Sequence, residues 1–245
     1  MTKKKDARQD IGGPVTATAT SPQTGPSSTS TSRPVPGAAV GFRAIDVFNT
    51  CLTRAKNLLK IHERAHGRRS KPEKYLADAH RAAVVLAVSA LDAYVRTVVI
   101  ERVRTLLLEK RQLPNSLASK IKIFLKEDGL LEAARQTDLL DRVEKALASD
   151  FERRSFQGSK VIEEYLELSG LPRAFDRIAK DLDVNEGLLV NDLDSFTQRR
   201  HVIAHRGDLD LTKNPPTENE IKKPDATNCI KLMQRIAGAI DRIGV

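Results

Sequence analysis

Near the carboxyl end of the chain, Arg199, Arg200, His201 and His205 fall within a short run. It reads RHVIAH from Arg200 and is followed by Arg206, Gly207 and Asp208. An imidazole titrates near neutral pH, so it can take a proton and give one back. A guanidinium offers a planar fork of donors matched to phosphate oxygens. Around one phosphate, these two groups are enough to cleave RNA without a metal. The base activates the ribose 2′-hydroxyl for in-line attack, and the cation stabilises the charge that builds on phosphorus oxygens. DNA lacks that hydroxyl, so such a site selects RNA by its chemistry.

A helix must carry these residues. Leu189, Leu193, Phe196, Arg200 and Ile203 follow one another in steps of four, three, four and three, the spacing of one helical stripe. The predicted helix runs from Asn185, a cap residue by type, to His205. Arg200 falls on the stripe expected to be buried. It cannot shed its charge there, so it needs an anion or a polar interface. His201 and His205 are one turn apart and share a face.

Five residues turn an ideal helix through about 140°, so Arg200 and His205 diverge on one straight helix. They converge if the helix ends near His205, or if a second chain completes the site across a two-fold axis. Arg199 also lies within reach of His205 by spacing, and counting leaves open which arginine serves. Arg200 is preferred because it lies on the stripe and a polar residue follows it. His201 either takes part in catalysis or orients the phosphate.

The rest of the chain supplies a helical frame. Its 245 residues are 40% apolar but only 4% aromatic, with no Trp. A core of Leu, Ala, Val and Ile suits helices better than a β-sandwich. Residues 1–37 open with Lys3, Lys4 and Lys5 and continue as a Pro/Ser/Thr/Gly-rich run, too poor in large apolar groups to offset ordering entropy, so a disordered tail is expected. Residues 38–245 read as the folded domain. Helical periodicity predicts segments at about 39–66, 72–109, 115–127, 130–149, 159–169, 172–180, 185–205 and 225–243, with no convincing strand. The stretch from Ala82 to Ile100 is the most apolar. Asp92 and Arg96 interrupt it, which predicts a buried helix and not a membrane span.

The run Arg200 to His205, with a polar residue after the arginine, and the long helix containing Ala90-Leu-Asp-Ala-Tyr-Val-Arg96 together resemble the HEPN superfamily. That signature is an arginine, four to six residues and a histidine. The stretch is similar to that of the RiboL-PSP-linked HEPN domains, over about residues 75–245. The resemblance implies an all-α, HEPN-like helical bundle with additional helices. It also implies a homodimeric, metal-independent endoribonuclease that leaves a 2′,3′-cyclic phosphate. Such proteins are often linked to phage defence, toxin–antitoxin systems or RNA repair, with an antitoxin or other defence-system protein as partner. Where the family often has Asn after the arginine, this chain has His201.

Asp92 and Arg96, one turn apart, read first as a structural ion pair, and second as a place where Asp92 or Ser89 orients a site residue. The basic run Arg64, Arg68, Arg69 and Lys71 either tracks an RNA backbone or is a solvated turn. His62, His66 and His80 lack a Cys or paired-carboxylate cluster at ligand spacing. His62 and His66, four apart, could hold a metal only with further ligands that the sequence does not point to, so an exposed helix end is the preferred reading and no metal or cofactor is expected. Cys51 and Cys229 lie far apart in apolar helical contexts, as buried free thiols do in a reducing cytosol. With no apolar leader at the N-terminus, a cytoplasmic protein is expected. The formal charge of +9 attracts polyanions without choosing among them. The competing reading is a non-catalytic HEPN-like module that binds RNA, a nucleotide or a partner protein through the same cationic face.

Overall fold

A computed structural model describes residues 43–66, 76–109, 111–136, 138–154, 156 and 158–244. The expected tail at 1–37, the start of the first predicted helix, and Arg68, Arg69 and Lys71 of the basic run lie outside the described residues. What is described is all-α, apart from one short hairpin. The elements are α1 (Ala44–His66), α2 (Ala77–Leu108), α3 (Asn115–Gln136), α4 (Leu139–Glu152), α5 (Ser159–Leu168), α6 (Ala174–Asp181), α7 (Glu186–Arg206), β1 (Leu209–Asp210), β2 (Thr217–Glu218) and α8 (Lys223–Gly244).

The 32-residue α2 is the axis of the bundle. An amphipathic helix shows one apolar stripe, whereas a helix with neighbours on several sides is apolar nearly all round. Here α1, α4, α5, α7 and α8 all pack on α2. Accordingly Val84, Val88, Leu91, Tyr94, Val95, Val99 and Val103 are all buried. By length and composition α2 could cross a bilayer, and in this fold 56% of its most apolar stretch is buried inside the bundle. The few aromatics gather at two seams. Phe48 of α1 meets Tyr94 edge-on, with ring centroids 5.6 Å apart. Phe151, Phe156 and Tyr165 form a second edge-to-face cluster beneath the Arg96 guanidinium.

Two boundaries differ from the periodicity reading. The predicted break near Gly129 lies at Lys126, whose backbone is non-helical at φ 53°, and helix continues past the glycine to Gln136. The predicted 130–149 helix is therefore divided. Asp138 leaves helical backbone at φ −105°, and α4 starts after it, with the Asp138 carboxylate held by Arg142 one turn on. A glycine permits a break without requiring one, whereas Asp competes with helix through local side-chain contacts. The unpredicted strands β1 and β2 pair antiparallel, Leu209 opposite Glu218 and Asp210 opposite Thr217. Two-residue strands are too short to show alternation in a sequence.

Capping contacts fix α7 against its neighbours. The Asn185 side chain accepts a hydrogen bond from the Leu188 amide at 3.0 Å, the predicted cap. Asp194, midway along α7, accepts from the amide and hydroxyl of Ser159 at 2.8 and 2.7 Å, so α7 caps the first turn of α5. Glu163 of α5 in turn accepts from the amides of Ala174 and Phe175 and caps α6. A carboxylate at a helix N-terminus satisfies orphan amides and meets the positive end of the dipole. These contacts link the positions of α5, α6 and α7.

Candidate functional site

The site helix α7 presents the stripe that its spacing predicts. Leu189 and Leu193 are buried, and Phe196 and Ile203 pack against the core. Arg200 lies between them, half-buried. Its Nε is shielded from solvent and has no hydrogen-bond partner, and no described carboxylate pairs with the guanidinium. An unmet buried donor costs about 1–3 kcal/mol, so Arg200 is poised to gain from an acceptor.

The adjacent Arg199 has a different fate. At the end of α7, Gly207 adopts left-handed backbone (φ 60°) and its amide returns to the Val202 carbonyl. Asp208 follows, also at positive φ (61°), fully buried. Its carboxylate accepts from Arg199 Nη2 at 2.7 Å and from Arg81 Nε of α2 at 2.8 Å. The Asn219 amide and side chain both donate to the Asp208 carbonyl, and Arg199 also donates to the Glu220 carbonyl. Arg81 further contacts Asp78, Glu218 and the Asn219 carbonyl. Burial works against its charge, but the hydrogen bonds to Asp208 and Asp78 and the fields of Asp208 and Glu218 outweigh it and raise its pKa. One buried carboxylate thus ties α2, α7 and the hairpin together. Of the two candidate arginines, Arg199 is engaged in this bridge and Arg200 is not.

His201 and His205 are both exposed, with ring centroids 4.5 Å apart and planes tilted by 46°. The helix runs unbroken through His205 to Arg206, so the divergence of about 140° between Arg200 and His205 stands within one protomer. An open groove of about 570 Å³ runs along α7, lined by Asn191, Asp194, Ser195, Gln198, Arg199 and Val202. Exposed Leu188 precedes Asn191 by one turn, and His205 follows Val202 by one turn. The groove face and the histidine therefore belong to one helical stripe.

The other anticipated residues lie elsewhere. Asp92 pairs with Arg96 at 2.8 Å and accepts from the Phe156 amide at 2.5 Å, while Arg96 donates to the Phe151 and Arg154 carbonyls. That is the structural ion pair its spacing suggests, and it fastens the α4–α5 turn to α2. Arg64 is exposed near the end of α1. Among the described residues, no three His, Cys, Asp or Glu side chains cluster as a metal site. The sequence reading missed Arg81, Asp208 and Asn219. A signal for the first was present: Ala77, Arg81, Val84 and Val88 share a stripe, the same misplaced arginine that singled out Arg200.

A family model described as RiboL-PSP-HEPN matches residues 50–242. No curated protein and no solved structure matches the chain.

Proposed function

The chain belongs to the RiboL-PSP-HEPN family, a group of HEPN-type helical domains, and from that premise we propose that it is a metal-independent endoribonuclease with a site shared between two copies. HEPN domains are often ribonucleases. In this reading the Arg200 guanidinium holds the non-bridging oxygens of the scissile phosphate. A neutral His205 imidazole removes the proton of the 2′-hydroxyl, and the 2′-oxygen attacks phosphorus in line. The bond to the 5′-oxygen breaks, and a second imidazole across the two-fold axis returns a proton to that leaving oxygen. The products are a 2′,3′-cyclic phosphate and a 5′-hydroxyl.

What carries the reading is Arg200: a guanidinium on a core-facing stripe, with a buried donor unmet and no ion pair to a described carboxylate. A structural arginine in such a position would resemble Arg199 or Arg81, both of which pair with the buried Asp208. The second chain is invoked because α7 is continuous through His205, leaving the two side chains on different sides of one helix. The exposed face from Leu188 to His205 is where two copies would meet.

The same divergence favours a second reading, a non-catalytic module that binds RNA, a nucleotide or a partner protein, because one protomer carries the cations without a closed site. One experiment separates them. Full-length protein is incubated with a defined RNA in EDTA, with light scattering to follow the oligomer. Arg200→Ala and His205→Ala should each abolish cleavage while the dimer persists. Cleavage that survives both substitutions removes the nuclease assignment to this site, and binding without product ends favours the module.

A further inference from the structure

A second cationic site lies at the other end of α2. Arg102 is twenty-one residues beyond Arg81 on that helix, about 30 Å along its axis. There the last two turns of α2 and the residues just after it, the turn after α5, α6 and the end of α8 line a cleft of about 500 Å³. Arg102, Arg111 and Arg177 line it, with Glu109 the carboxylate among them and Leu106, Leu171 and Ile243 as apolar wall.

The three guanidiniums are only partly occupied. Arg102 donates to the carbonyls of Ser169 (3.2 Å), Gly170 (3.4 Å) and Gly244. Gly170 makes this approach possible, since its φ of 86° is one that L side chains rarely adopt. Arg177 gives one donor to the Ile243 carbonyl at 3.1 Å. Arg111 pairs with Glu109 at 2.5 Å. No described carboxylate pairs with Arg102 or Arg177. Each guanidinium has five N–H donors, so several donors of Arg102 and Arg177 remain for a ligand.

Capping explains part of this arrangement, because cations suit the negative ends of helices. It does not explain why, among the described residues, three guanidiniums share one cleft with one carboxylate. The cost is visible on Arg102: burial lowers its pKa, and the neighbouring Arg177 and Arg111 lower it further. A bound anion would relieve that repulsion, and the cleft has the size of a small-ligand site. We propose that this cleft binds the phosphate of a small phosphorylated ligand, a mononucleotide or inorganic phosphate, through Arg102, Arg111 and Arg177. The phosphate bridges the three guanidiniums, and the Leu106–Leu171–Ile243 wall receives whatever apolar body the phosphate carries. Binding clamps the end of α8 onto α2 and stabilises the fold.

The test is a thermal-shift and calorimetric titration of the full chain with inorganic phosphate and with AMP, against sodium chloride at matched ionic strength. Both ligands should give a saturable rise in melting temperature. Tighter binding of AMP identifies a nucleotide as the occupant, and equal binding identifies phosphate alone. Arg111→Gln combined with Arg177→Gln should weaken binding about tenfold or more, whereas Arg200→Ala with His205→Ala should leave it unchanged. Should the double variant fail to fold, exposed Arg111→Glu places a second carboxylate in the cleft and should weaken binding similarly. The proposal fails if neither ligand shifts the melting temperature beyond the salt control, if binding survives the substitutions in the cleft, or if it is lost with Arg200 and His205.

Discussion

Arg199 donates to Asp208 at 2.7 Å across the turn that ends α7, and this contact separates the roles of two neighbouring arginines. Asp208 is fully buried and also holds Arg81, whose side chain is only 9% exposed. Breaking one member of a buried ion network leaves uncompensated charge, which costs about 3–5 kcal/mol. Asp208→Asn keeps the shape and tolerates the left-handed backbone at this position, so it isolates the charge. Its expected effect is a loss of stability of about that size, read as a lower denaturant midpoint with an unchanged slope. A variant as stable as the parent would show that the bridge contributes nothing.

The same contact predicts that Arg199 and Arg200 fail in opposite ways. Arg199→Gln removes a partner of Asp208 and should lower stability by about 1–3 kcal/mol, while RNA cleavage by the folded fraction stays within about tenfold of the parent. Arg200→Gln removes no described ion pair. It should leave the melting temperature nearly unchanged and reduce cleavage by about a hundredfold or more, the scale expected when a group that stabilises transition-state charge is lost. Paired melting curves and single-turnover cleavage rates measure both. If Arg199→Gln abolished cleavage at full stability, the two assignments would have to be exchanged.

How much of this was legible in the sequence differs by level. The stripe from Leu189 to Ile203 has a clean helical period, and the Asn185 cap is a local signal, so α7 and the burial of its face could be read directly. The choice between Arg199 and Arg200 could not be made by counting. It depends on Asp208, which reaches Arg199 only because Gly207 and Asp208 both take left-handed backbone, and on Arg81, 127 residues before Asp208 in the chain. Local periodicity carries no trace of such a long-range pairing. The arginine cleft was hidden for the same reason, since Arg102, Arg111 and Arg177 come together only when α6 and the end of α8 lie beside the end of α2.

The two cysteines should differ sharply in reactivity. Cys229 is buried among the core residues of α8, and burial pushes its thiol up to about 12. Only the thiolate attacks a disulfide reagent, so Cys229 should stay unmodified at pH 8 until the protein unfolds. Cys51, on α1, is half-buried and should react first. Counting labelled thiols with Ellman's reagent before and after adding denaturant gives the answer, with one slow or absent in the native state. Rapid native labelling of both would mean that α8 opens readily from the bundle.

Stability at the seam between α1 and α2 should depend on pH through Glu101. The Glu101 carboxyl has a raised pKa: burial is the main cause and the Asp241 charge adds to it, against a hydrogen bond from the Ala44 amide and the pull of Arg43. A carboxyl whose folded pKa lies above its unfolded value contributes stability that is fully present below the unfolded pKa. That contribution is lost as pH rises through the folded value. At pH 7 the ionised Glu101 therefore opposes folding, whereas at about pH 4, near the ordinary carboxyl range, most of the opposition is gone. Glu101→Gln keeps an acceptor for Ala44 and removes the charge. The variant should melt above the parent at pH 7, and the gap should shrink as the pH falls towards 4. Melting curves at half-unit steps would record the trend. A variant that melts below the parent at neutral pH, or a gap that widens in acid, would show that the carboxylate is better solvated in the fold than its position between α1, α2 and α8 implies.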